Sequence, residues 1–99
     1  MKQHRYRVTV QHLATAAGEP STYAAPLQFE AGNHDDLFQI AQRLRQRSDL
    51  LGINTDAFAI GLKLFGEVML ENKDHPLFAA FRLHFGAFMQ QLKKGAQAD

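Results

Sequence analysis

Cysteine is missing from this chain altogether. That excludes disulfides, thiol nucleophiles and thiolate metal sites, and it leaves the redox compartment open. No apolar run approaches membrane-spanning length, and the opening Met-Lys-Gln-His-Arg-Tyr-Arg carries no signal-peptide apolar segment, so no membrane role is expected and the cytoplasm is the default location. The formal net charge is only +1, which gives no global pull toward nucleic acid or an acidic surface. Catalytic punctuation is absent too. Ser21 and Ser48 lie outside any G-x-S-x-G context, no H-E-x-x-H spacing occurs, and no glycine-rich phosphate loop is present. Gly61 and Gly66 stand inside a helical pattern, where they suit close approach of a neighbouring element. The sequence therefore argues against an enzyme and calls for no cofactor or metal.

What is present is concentrated between Asn54 and Lys94, which holds six of the eight phenylalanines and both methionines beyond Met1. Phe58, Leu62, Phe65 and Met69 recur at steps of four, three and four, with Ile60, Leu64 and Val68 as a second stripe beside them. This leaves Lys63, Glu67 and Glu71 on a narrow polar strip. Asn54 or Thr55 is the expected N-cap, with Asp56 in the first turn. Pro76 cannot continue that helix but suits the first turn of the next. In the next helix Leu77, Phe78, Phe81, Phe85, Phe88, Met89 and Leu92 fall within an arc of about 120°. Lys93 and Lys94 close its last turn, and Gly95 is the expected C-cap.

Earlier in the chain, His4–Leu13 reads as a strand, with Tyr6, Val8 and Val10 alternating with Arg5, Arg7 and Thr9. Residues 14–21 carry turn chemistry. A second strand is expected over about Tyr23–Glu30, with Pro26 at a free edge because it cannot donate to a ladder. Gly32 and Asn33 break it. Asn33 then caps a helix whose buried stripe is Leu37, Ile40, Ala41 and Leu44.

A lone hairpin is marginal in water, so its apolar face is expected to pack on helices. The sequence thus predicts an α+β fold, a two-layer domain with an N-terminal β-hairpin packed on three helices in the order β-β-α-α-α. One domain over 1–95 and a disordered tail over 96–99 complete the expectation. A two-stranded sheet has two open edges, so a homodimer paired through the hairpin edge is the expected assembly.

The opening K-Q-H-R-Y-R-V-T-V, the middle N-H-D-D-L-F, and G-L-K-L-F-G-E-V-M-L-E-N with the later P-L-F resemble a small bacterial family of stand-alone proteins of roughly a hundred residues, known as a domain of unknown function. The resemblance spans nearly the whole chain. It implies a bacterial α+β domain and brings no catalytic residue, cofactor or partner.

Several polar groupings remain as candidates. His34, Asp35 and Asp36 form the densest, yet adjacent helical residues diverge by about 100°, so capping and dipole complementarity explain them better than a metal site. His4 and His12 lie about 27 Å apart along an extended strand, while His75 and His84 sit in a turn and beside the aromatic stripe. A basic patch is drawn from Arg5, Arg7, Arg43, Arg45 and Arg47, but the small net charge makes nucleic acid an unfavoured partner. Phe81, Phe85, Phe88 and Met89 outline a candidate apolar pocket. The favoured function is a non-enzymatic protein-interaction or self-associating domain. A binder of a small apolar ligand is the alternative, with a weak nucleic-acid binder behind it.

Overall fold

The computed structural model describes the backbone of residues 2–98 and side chains through residue 95. The chain divides into two compact units, Met1–His34 and Asp35–Asp99. Of the tail expected over 96–99, residues 96–98 are helical and Asp99 lies outside the described residues.

The first unit is an antiparallel hairpin of β1 (His4–Val10) and β2 (Leu27–Asn33). Its register places Tyr6 opposite Ala31, Val8 opposite Phe29 and Val10 opposite Leu27, so one face is apolar. The other face sets Arg7 opposite Glu30 and Thr9 opposite Gln28. There Arg5 donates to Glu30 at 2.8 Å and Gln28 donates to Thr9 Oγ1 at 3.2 Å. Both strands differ from the expected bounds. β2 begins three or four residues later than its pattern suggests, because Pro26 has no N–H for the ladder and Tyr23 N–H is drawn into a turn onto Ser21 Oγ. It also runs through Gly32 and Asn33, which were expected to break it. Gln3 lies over Gly32 where any Cβ would collide, so glycine admits that side chain instead of ending the strand. The connecting segment closes through an Ala14–Pro20 bridge and a tight turn in which Gly18 adopts φ +90°.

The second unit is helical. α1 (Leu37–Arg45) starts at Asp36, whose carboxylate accepts from Phe38 N–H at 3.0 Å and Gln39 N–H at 3.4 Å. Asp36, not Asn33, is thus the N-cap; Asn33 belongs to the ladder. A 3₁₀ turn, Ser48–Leu50, leads to α2 (Thr55–Glu71), capped as expected by Asn54 accepting from Ala57 N–H. The buried apolar centre joins these two helices: Ala41 and Leu44 of α1 meet Ala59 of α2, flanked by Ile40, Leu50 and Phe58. Small residues at 41 and 59 let the backbones approach. Glu67, expected on the polar strip, is instead buried, and Val68 of the second stripe is exposed. The hydrophobic arc of α2 is therefore rotated from the one its spacing suggests.

The last expected helix is two. α3 (Pro76–Ala79) is one turn long, starts at His75, whose Nδ1 accepts from Leu77 N–H, and carries Pro76 in its first turn. Phe81 N–H then bonds back to the Phe78 carbonyl, a tightened i→i−3 closure, before α4 (Arg82–Ala98) begins. The order is β-β-α-α-α-α. An apolar arc cannot reveal such a break, because a 3₁₀ turn shifts the helical phase by only a fraction of a turn. α4 also passes through Lys93, Lys94 and Gly95 rather than ending there.

Candidate functional site

Concave surface in the helical unit follows from how α4 is attached. Its rings meet α2 edge-on, Phe88 against Phe58 at 6.1 Å and Phe85 against Phe65 at 5.9 Å. Phe65 also touches Phe78 and Phe81, at 6.5 and 6.0 Å. Edge-to-face pairs at these separations are attractive. Gly66 admits Phe85, whose Cζ would lie 3.4 Å from a Cβ at that position, while Gly61 faces open space. The close approach expected of both glycines holds for Gly66 alone.

Rings that meet at edges leave hollows beside them. One, of about 370 Å³, is walled by Leu50, Ile53, Phe58, Phe88 and Leu92, with the Arg47–Asp49 pair at its rim. A second, of about 260 Å³, lies among α1, α2 and α4; it is lined by Ile40, Leu44, Leu62, Met89 and Leu92 together with Arg43, Arg47, Lys63 and Lys93. A third, of about 190 Å³, is walled by Met69, Leu70, Phe85 and Gly86. None of these three hollows is lined by all four residues of the expected apolar pocket, although Phe81 and Phe85 meet each other at 6.2 Å. Phe81 joins the Phe65 cluster, Phe85 faces the third hollow, Phe88 the first and Met89 the second. Neighbours such as Phe88 and Met89 diverge by about 100° and so line different hollows beside α4.

The arginines of the expected basic patch are mostly engaged. Arg5 and Arg7 lie 2.8 and 3.9 Å from Glu30. Arg45 holds Asp56 through both carboxylate oxygens, at 2.8 and 3.0 Å, and that hydrogen-bonded pairing pulls the Asp56 pKa down and pushes that of Arg45 up. Arg47 grips Asp49 in the same forked manner, at 2.9 and 2.6 Å, which depresses the Asp49 pKa. Arg43 differs: its guanidinium reaches the neutral Gln39 Oε1 at 3.4 Å.

The histidine and aspartate candidates separate as well. Asp36 caps α1, and Asp35 bonds Lys63 Nζ at 2.7 Å. His12 shares a 2.6 Å hydrogen bond with Ser21 and meets Tyr23 edge-on, His75 caps α3, and His84 stacks on Phe81. No group of three or more metal-ligating side chains forms among the described residues.

The sequence profile of the DUF3861 family, described as a domain of unknown function with solved-structure structure, matches residues 4–94. The chain belongs to this family. A crystal structure of a protein of unknown function from Pectobacterium atrosepticum is similar to it, with 40% identity, a TM-score of 0.78, and coverage of 94% of this chain and 99% of that one. No curated protein matches the chain. The resemblance read from the sequence motifs, to a small bacterial family known as a domain of unknown function, is thus confirmed, together with an α+β fold.

In this DUF3861 chain, sequence reasoning missed the arrangement around Arg47. Its side chain is only 10% exposed, and Gly95 passes so close that a Cβ there would collide with both Arg47 and Asp49. Gly95 is therefore a close-approach glycine inside α4, not a cap. The spacing of Arg47 and Asp49 was visible, but nothing in the sequence says that Gly95, more than forty residues on, approaches them.

Proposed function

We propose that this protein is a non-enzymatic interaction module that pairs with a second copy of itself through the β1 edge of the hairpin, working in the cytoplasm. The observation that carries the proposal is the outer half of the hairpin's apolar face, where Val10, Leu27 and Phe29 are 54%, 66% and 42% exposed on a sheet of only two strands. Such a sheet is marginal by itself, and open edges recruit further strands. β1 is the better edge: it carries no proline from His4 to Val10, whereas Pro26 directly precedes β2. Antiparallel pairing of β1 with its copy about a two-fold axis gives four strands and sets Tyr6, Val8 and Val10 of both copies on one continuous face. The engagement of four of the five candidate patch arginines with carboxylates favours this reading over nucleic-acid binding.

Sedimentation velocity of the wild type beside the Val10→Lys/Phe29→Lys double variant tests it. Both positions are exposed, so the chain should keep its helical circular-dichroism signal. The wild type is expected to sediment as a dimer and the variant as a monomer. Equal sedimentation of the two would remove the hairpin as the interface.

A further inference from the structure

The hollow among α1, α2 and α4 combines two features that neither helix packing nor surface charge requires together. Its apolar lining is entirely aliphatic or thioether, supplied by Ile40, Leu44, Leu62, Met89 and Leu92, and four cationic side chains complete it. Two of the four are held by carboxylates: Lys63 by Asp35 at 2.7 Å and Arg47 by Asp49 at 2.6 Å. Arg43 and Lys93 are not. The Arg43 guanidinium meets only an amide oxygen, and Lys93 forms no ion pair among the described residues. Positive charge is thus left in excess over an apolar basin.

We propose that this hollow binds an aliphatic carboxylate, with the tail on the apolar lining and the head between Arg43 and Lys93. A guanidinium fork and an ammonium suit one carboxylate, since both donate charge-assisted hydrogen bonds and the fork can engage both oxygens. The basin of about 260 Å³ lies just below the usual range for small-ligand sites, roughly 300–1,000 Å³. That size and its enclosure by three helices suit one short chain, not the long groove an amphipathic peptide helix occupies. Leu92 and Arg47 also wall the neighbouring hollow of about 370 Å³, giving longer tails an apolar continuation. Phe88 lines one hollow and Met89 the other, which makes the two distinct. This site is independent of the hairpin pairing, and either stands if the other fails.

The test is an amide-shift NMR titration of the full chain with octanoate, compared with octan-1-ol, which has the same tail and no charge. Octanoate is expected to shift the amides around Arg43, Met89 and Lys93 saturably, and the alcohol to bind about tenfold more weakly, the usual scale for losing a hydrogen bond to a charged group. The Arg43→Gln/Lys93→Gln variant replaces two exposed side chains, so its spectrum should otherwise match wild type; octanoate affinity is expected to drop by about tenfold or more. Hexanoate should bind more weakly than octanoate because it covers less of the apolar lining. Equal affinity for acid and alcohol, unchanged octanoate affinity in the double variant, or the absence of shifts at these amides would each overturn the proposal.

Discussion

The hairpin unit and the helical unit are held together by different physics. Every buried hydrophobic residue among the described ones, Leu37, Ala41, Leu44, Ala59 and Met69, belongs to the helical unit. Among its described residues the hairpin unit buries only Asn33, at the end of β2. Its order comes from the ladder, from cross-strand pairs such as Val8 with Phe29, and from the Arg5–Glu30 contact on the opposite face. A unit whose apolar side chains stay in contact with water has surface left to bury on a partner, while a unit with an internal centre does not need one to fold. This contrast is why the proposed self-association is assigned to the hairpin.

The contrast can be broken most sharply at its strongest point. Leu44→Ala empties a buried site between α1 and α2 and should cost about 2–5 kcal/mol in urea unfolding, whereas Val10→Ala at the exposed hairpin end should cost about 0.2–1 kcal/mol under dilute conditions. Comparable losses at the two positions would mean the hairpin has a centre of its own. Phe65→Ala removes the ring against which Phe78, Phe81 and Phe85 rest, and about 2 kcal/mol is expected from the lost ring pairs. The check is whether α3 and α4 then lose amide-exchange protection ahead of α1. Replacing the α2 cap, Asn54→Ala, should cost about 1 kcal/mol in the same unfolding assay. In the opposite direction, Gly61→Ala adds a methyl into open space within a helix and should stabilise by about 0.5–1 kcal/mol.

The smallest effect is electrostatic. Asp56 and Asp49 have folded-state pKa values below their ordinary carboxylate value because Arg45 and Arg47 bond them. The stabilisation is therefore fully present above the ordinary value and is lost as pH falls through the depressed folded one. Unfolding followed from pH 7 downward should show no loss from these pairs until the pH enters the usual carboxylate range, and a progressive loss below it. Both groups are exposed, so salt should weaken the effect. In the Asp56→Asn variant the part of that acid-side slope due to Arg45 should disappear.

How far the residues announced all this depended on whether the relevant signal is local. The hairpin, the helical segments and the Asn54 cap rest on periodicity and capping chemistry within a few residues, and they were legible. The Asn33 cap was misread because Asp36 offers the same chemistry three residues on, and the choice between them depends on how far the β1–β2 ladder extends. The join between α3 and α4 was hidden because Pro76 permits a helix start while Phe78 and Phe81 keep the apolar phase across the break. Burial of Glu67 and exposure of Val68 depend on which side of α2 receives α1 and α4, a tertiary fact. The hollows needed the structure for the same reason. Met89 and Phe88 could be read as apolar, but not that they line different cavities, nor that Arg43 and Lys93 meet at one of them with no carboxylate partner among the described residues.

The most direct measurement of the central claim is the solution mass of the wild-type chain by size-exclusion chromatography with light scattering, across a wide concentration range. The proposal expects a species of about twice the 11.1 kDa chain mass, giving way to monomer only on dilution. A mass of 11.1 kDa at every concentration would contradict it and leave the exposed Val10, Leu27 and Phe29 surface without the partner assigned to it here.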